Sequence, residues 1–203
     1  MAKRDLSPDL QALYFPSSKS PVMVDVPRMN YLMVDGEGHP QSGQAFARAI
    51  TALYGLAYTL KFSLKKARRN FVVMPLEALW WNADSETFDM DRKSGWRWTA
   101  MMAMPYPITR GYFRLAVDQA SAKKPEVDYG SIRLESWKEG RCAQVLHIGP
   151  YAAERPTIER LHAFIKAEGY RLRGKHHEIY IGDPNRSAPA KLKTVVRQPV
   201  ERA

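Results

Sequence analysis

The block His176-His177-Glu178-Ile179-Tyr180 brings two imidazoles, a carboxylate and a phenol into five consecutive positions. Side chains alternate between the faces of a strand, so a strand here sets His176, Glu178 and Tyr180 on one face and His177 and Ile179 on the other. A carboxylate in mid-strand beside a phenol is costly to bury without partners. It either faces water or serves a site in which its neighbours set its proton affinity.

Four tryptophans flank a polar loop: Trp80 and Trp81 before it, Trp96 and Trp98 after it. Alternation puts Trp96 and Trp98 on one face and separates Trp80 from Trp81. Such indoles either fill a core or wall a flat pocket. Metal chemistry has little to stand on, because His176 and His177 point apart, His147 and His162 lie elsewhere, and no H-E-x-x-H pattern occurs. G-x-S-x-G, Walker and G-x-G-x-x-G patterns are absent too, so no nucleotide or other cofactor is expected. Cys142 sits in an expected strand with no recognisable base and reads as a buried thiol. The basic runs Lys65-Lys66-Ala67-Arg68-Arg69 and Arg171 to Lys175 read as solvated surface, with phosphate binding as the alternative.

The elements that must position these residues come next. Val22 to Val34 reads as a strand running into the turn Asp35-Gly36-Glu37-Gly38. Ser42 is placed to cap a helix that runs to about Leu60, with Phe46, Ala49, Ile50, Leu53 and Leu56 at helical spacing. Phe71 to Trp81 and Trp96 to Met104 are two strands around an exposed loop from Asn82 to Gly95. A connecting helix spans about 108–124. Strands then follow at Ile132 to Trp137 and Arg141 to Ile148, around a turn at Lys138-Glu139-Gly140. A helix carries Ile158, Leu161, Phe164 and Ile165, and the series closes with strands at Arg171 to Ile181 and Leu192 to Val200. The expectation is an α+β fold: an arm over residues 1–20, then one domain over 21–203 made of two βαββ repeats (about 21–107 and 128–203). Its sheet is mainly antiparallel, its helices lie on one face, and a ligand cleft separates the halves.

Composition bounds the rest. With 45% hydrophobic and 26% charged residues over 203 positions, the chain has the profile of a folded domain rather than a disordered or fibrous one. A single cysteine excludes an intrachain disulfide and fits a reducing cytoplasm. Residues 1–20 lack the apolar stretch of a secretory signal, and the longest apolar runs, Ile50 to Leu60 and Trp98 to Thr109, are too short to cross a bilayer. The net charge of +10 suggests acidic partners without naming one, and no specific nucleic-acid role is expected.

Three segments together carry a resemblance: Phe71-Val-Val-Met-Pro-Leu-Glu-Ala-Leu-Trp-Trp, Trp96-Arg-Trp-Thr-Ala-Met-Met, and Gly174-Lys-His-His-Glu-Ile-Tyr-Ile-Gly-Asp-Pro-Asn-Arg with Leu192-Lys-Thr-Val-Val-Arg-Gln-Pro after it. They resemble the GyrI-like small-molecule-binding family over nearly the whole chain, and particularly its stand-alone branch similar to cyclopropanoid hydrolases. The resemblance implies a duplicated SHS2-type fold, a ligand cleft with a central glutamate, and addition of water to the strained cyclopropane of DNA-alkylating natural products. Carried over, it makes Glu178 the base that activates water, and gives Tyr180 or Tyr112 the hydrogen bond to the substrate carbonyl. Trp80 and Trp98 would stack on a planar hydrophobic ligand, with Trp96, His176 and Met102 also in contact. About 20 residues before the first strand are too few for a helix-turn-helix reader. Ala78 stands where relatives tend to have glycine. Two rival roles remain: a non-catalytic drug sink or sensor, and a protein-interaction role such as gyrase inhibition, against which the positive charge argues. The oligomeric state is not legible.

Overall fold

The computed structural model describes residues 6–40, 43–84, 88–89, 92, 95–104 and 108–203. Chain order is α1 (Pro8–Tyr14), β1 (Val22–Glu37), α2 (Gln44–Lys66), β2 (Leu76–Asn82), β3 (Trp96–Met104), α3 (Arg110–Lys123), β4 (Arg133–Ile148), α4 (Arg155–Ala167), β5 (Tyr170–Leu172), β6 (His176–Tyr180) and β7 (Lys193–Arg202). The strands are antiparallel in the order β4-β1-β3-β2-β6-β7, and β7 returns to pair with β4. The sheet thereby closes into a barrel, which removes its open edges. Strand β5 pairs with the far end of β7.

Closure gives every strand an inner and an outer face. Helix α2 covers the outer face over β1 and β3, setting Phe46 against Trp80 and Trp98. Helix α4 covers it over β4 and β7, where Ile158, Leu161 and Ile165 pack on Ala143, Val145 and Val196. Helix α3 rests on α2. Each helix buries an apolar stripe, as the residue spacing requires. Among the described residues, no helix is long and apolar enough to cross a membrane.

The inner face is charged. Glu77, Gln144, His177 and Arg197 project into the barrel and are wholly buried, joined by Glu139. His177 Nδ1 lies 2.9 Å from Glu139 Oε1, and its Nε2 lies 3.0 Å from Glu77 Oε2. Carboxylates at both ring nitrogens require both to donate, so the ring is an imidazolium. Burial alone would lower its pKa, but the two glutamates overcome this and raise it. Arg197 donates from Nη1 to Glu139 at 3.2 Å and from Nε to Gln144 at 2.9 Å.

Several expectations change. Residues 8–14 are the helix α1, which plugs one end of the barrel instead of trailing as an arm. Its last-turn carbonyls, orphaned by helix geometry, accept from Gln144 (Ala12 O, 2.8 Å) and Arg197 (Leu13 O, 2.8 Å). The Tyr14 hydroxyl donates to Glu77 at 2.6 Å. The expected turn at Lys138-Glu139-Gly140 lies inside the single strand β4: Gly140 takes φ +81 without ending the ladder, whose register to β1 is the same on both sides. The expected strand from Arg171 to Ile181 splits into β5 and β6, with Gly174 at φ +63 between them. Phe71 to Pro75 is unpaired, so β2 begins at Leu76, while α2 runs on to Lys66. Asn82, expected in an exposed loop, is buried and holds that loop through Asp89 N–H (2.7 Å) and Arg92 O (3.2 Å). Ser42 lies outside the described residues.

Candidate functional site

Strand β6 alternates as its sequence predicts, so His176, Glu178 and Tyr180 all face outward, between α2 and α4. The ladder with β2 sets Trp80 opposite His176, Ala78 opposite Glu178 and Leu76 opposite Tyr180. Glu178 is only 9% exposed, which excludes the solvated reading. The Tyr180 hydroxyl donates to Glu178 Oε2 at 2.7 Å, and His176 Nε2 lies 3.2 Å from Oε1. Trp80 Nε1 in turn donates to the Tyr180 oxygen at 3.1 Å. This chain of bonds commits the phenol proton to the carboxylate and fixes the carboxylate plane.

A second carboxyl group stands at the site. Glu154 occupies the N-cap position of α4, after the short turn Tyr151–Ala153, yet makes no capping hydrogen bond and packs its side chain against Glu178. It is 1% exposed. Burial, and then the charge of Glu178, push its pKa up to about 9. Burial acts on Glu178 in the same sense, but the hydrogen bonds of His176 and Tyr180 more than offset it, and its carboxyl lies below the usual range. At neutral pH the pair therefore holds one proton, on Glu154, and one charge, on Glu178. Environments that drive two neighbouring carboxyl groups in opposite directions assign one as acid and the other as base. Tyr151 closes the site edge-on to Tyr180, at 5.6 Å between ring centroids.

Aromatic rings form the adjoining wall. Phe88 stacks on His176 at 5.4 Å and 19°, and meets Trp96 edge-on at 4.9 Å. Trp80 and Trp96 pack edge to face at 5.7 Å. The indole N–H groups of Trp96 and Trp98 are buried and have no hydrogen-bond partner among the described residues.

The expected site residues thus separate. His176, Glu178, Tyr180, Trp80 and Trp96 converge. Trp98 borders them through Phe46 but lies over Gly36, where a Cβ would collide with its ring, and it is buried in the core beneath α2. Met102 is fully buried in the same core, with no surface to offer a ligand. Tyr112 sits in the first turn of α3, and both Glu178 oxygens are held by other side chains, so Tyr180 is the tyrosine in contact. Glu154 was missed. Pro156 just after it signals a helix start, which marks Glu154 as a cap but gives no hint of the packing that turns it toward β6. Cys142 is buried and its thiol is pushed far up by burial, as an unreactive side chain would be. Among the described residues, no three His, Cys, Asp or Glu side chains are grouped to hold a metal ion.

Comparison with known proteins agrees with this architecture. A family model for the GyrI-like small molecule binding domain matches residues 19–201. The structure of an uncharacterized conserved protein from Listeria innocua is 38% identical and superposes with a TM-score of 0.87, covering 94% of this chain and 96% of the other. A hydrolase from Listeria innocua is 36% identical with a TM-score of 0.83, covering 95% of this chain and 97% of the other. A comparison with curated proteins finds no match. With the family pattern running almost end to end over a barrel whose outer face carries the paired glutamates, the chain belongs to the GyrI-like small-molecule-binding family.

Proposed function

We propose that the protein hydrolyses planar, electrophilic small molecules at the outer glutamate pair, with cyclopropanoid alkylators as the substrate class. The observation that carries this is the glutamate pair: a charged Glu178 held by His176 and Tyr180, touching a protonated, buried Glu154. A site that only binds has no use for an acid and a base sharing one proton. The two hydrolases from Listeria innocua, each 36% identical, support an enzymatic reading. The protection of cytoplasmic DNA from such alkylators is the biological role that goes with it. The order strand-helix-strand-strand, once before α3 and again after it with β5 added, supports a duplicated SHS2-type origin.

In this mechanism the Glu178 carboxylate removes a proton from water as the water oxygen bonds to the cyclopropane carbon. The strained carbon–carbon bond breaks and its electron pair passes into the conjugated carbonyl, whose oxygen takes the proton of Glu154. The proton on Glu178 then crosses to Glu154 along their shared hydrogen bond, and both groups return to their starting states. Tyr180 donates to Glu178 throughout, so it positions the base and does not serve the substrate oxygen. Phe88, the part-exposed ring of the wall, provides the stacking surface for a planar ligand, backed by the buried rings of Trp80 and Trp96.

The test is turnover. Incubation with a cyclopropane-containing alkylator should give a product heavier by one water, read by mass spectrometry. Glu178→Gln should lower the rate by at least about 10²-fold while a neutral aromatic ligand still binds. Binding without any product, together with affinity lost only for cationic ligands in Glu178→Gln, would establish the passive module instead.

A further inference from the structure

The basic run from Arg171 to Lys175 takes no part in the outer glutamate site, because it leads from β5 into β6 at the end of the barrel away from α1. Along β2, Glu77 meets Tyr14 of α1, Leu79 lies midway, and Trp81 reaches the far rim. There a cavity of about 230 Å³ opens. Its apolar wall comes from Leu79, Trp137 and Pro199, and its polar rim from Arg173 and Lys175, with Lys138 at the edge.

Charge decides what such a cavity takes. Glu139 is the carboxylate at its floor, and that group is already held by His177 and Arg197. Asp35 and Glu135 near the rim are both bound by Arg133. Among the described residues, no carboxylate lies within ion-pair distance of Lys138, Arg173 or Lys175. Arg173 is aimed by its own bonds: Nη2 donates to Glu139 O at 2.7 Å, and Nε reaches Val200 O at 3.5 Å, which leaves the remaining N–H groups of the fork for another acceptor. Lys175 is held 3.3 Å above the Trp81 ring, so its ammonium is placed against apolar surface with no anionic partner.

We propose that this mouth of the barrel is a second binding site, for a small aromatic monocarboxylate. The carboxylate bridges the guanidinium of Arg173 and the ammonium of Lys175, and the ring lies against Trp137. The volume is below the roughly 300–1,000 Å³ of pockets for drug-sized ligands and matches a single ring. Two cations backed by an apolar wall favour an acid with an apolar body over a bare oxyanion. This site lies on the inner side of β2 and β6, whereas the glutamate pair lies on their outer side, so the two are tested independently.

The experiment follows the indole N–H signals of the intact protein by NMR while benzoate, benzamide or inorganic phosphate is added. Benzoate should give saturable shifts at Trp81 and Trp137 and leave Trp80 and Trp96 in place, and added salt should weaken it. Benzamide and phosphate should bind at least about tenfold more weakly, and Arg173→Gln with Lys175→Gln should weaken benzoate by a similar factor. Lys175→Gln alone, which removes no structural hydrogen bond, guards against misfolding of the double variant and should weaken benzoate measurably. Equal binding of benzamide would remove the anionic requirement, and equal binding of phosphate would remove the aromatic one. An absence of saturable benzoate shifts, or shifts unchanged in the folded variants, would overturn the proposal.

Discussion

The two faces of β6 hold two buried charge clusters built from the same residue types, and they differ in balance. Inside the barrel, Glu77 and Glu139 face the imidazolium of His177 and the guanidinium of Arg197. Outside, the two glutamates Glu178 and Glu154 stand with one imidazole, His176, which pairs with Glu178. The inner cluster is nearly saturated, with the Tyr31 hydroxyl as its one orphan among the described residues, whereas the outer side leaves Glu154 Oε1, Thr194 Oγ1 and two indole N–H groups without partners. A saturated buried network gains nothing from a ligand and serves the fold; an unsaturated one retains bonding capacity that a substrate can use. One strand therefore fixes the barrel with its odd-numbered side chains and carries the unsaturated cluster with its even ones.

The largest effect should come from breaking the inner balance. Arg197→Met leaves Glu139 with His177 alone and removes the donors to Gln144 Oε1 and Leu13 O, and loss of one member of a buried pair typically costs about 3–5 kcal/mol. Chemical denaturation should show this loss, and a midpoint close to that of the wild type would mean that the inner network is not what holds the barrel. The outer cluster should respond in the opposite way. Glu154→Gln keeps shape and hydrogen bonding while removing a carboxyl that is held protonated against its preference, so at pH 8 its melting temperature should rise by about 2–4 °C. Its turnover should fall at least about 10²-fold. A variant that lost both stability and activity would put Glu154 with the structural glutamates.

Acidity separates the clusters further. The His177 pKa is raised in the folded state, so its contribution to stability is complete below the ordinary histidine value of 6.5 and is lost as pH rises through the folded value. Glu139 is lowered, so its contribution is complete above its ordinary 4.5 and is lost as pH falls through the folded value. By themselves these two groups would hold the melting temperature level between those limits and let it decline on either side. Glu154, raised to about 9, costs stability progressively from its ordinary 4.5 up to that value, so it tilts the plateau and adds to the alkaline decline; Glu154→Gln should flatten the plateau and reduce the alkaline slope without removing it. An alkaline limb abolished by Glu154→Gln would leave His177 with no part in it. Least affected should be Asp25→Asn, which breaks an exposed pair with Arg141, 2.7 Å long; a shift of less than about 2 °C sets the baseline for the buried pairs.

Local patterns carried the readings that held. The alternation of His176, Glu178 and Tyr180, the separation of Trp80 from Trp81, and the stripe of α2 follow from side-chain direction alone. Features that depend on distant residues did not show. Nothing near Val195 or Leu146 announces that β7 and β4 pair, and hence that the sheet closes and Glu139 and Arg197 become inner residues. Gly140 looked like a turn because a glycine permits φ +81 in a strand as readily as in a bend. Glu154 was invisible for the same reason as closure: its role depends on where α4 lands, which its own neighbours do not encode.

The plug formed by α1 also constrains the order of assembly. The bond from Arg197 to Leu13 O joins residues 184 positions apart, and Gln144 reaches Ala12 O across 132. A chain emerging from the ribosome would complete α1 first and β7 last, so for most of synthesis the helix has no barrel to enter and β4 has an unpaired edge. Contacts this distant in sequence slow folding and prolong the exposure of such edges. The barrel can seal only when both ends of the chain are present, which makes its closure a late, whole-chain event and leaves the half-made protein as the species most in need of a chaperone.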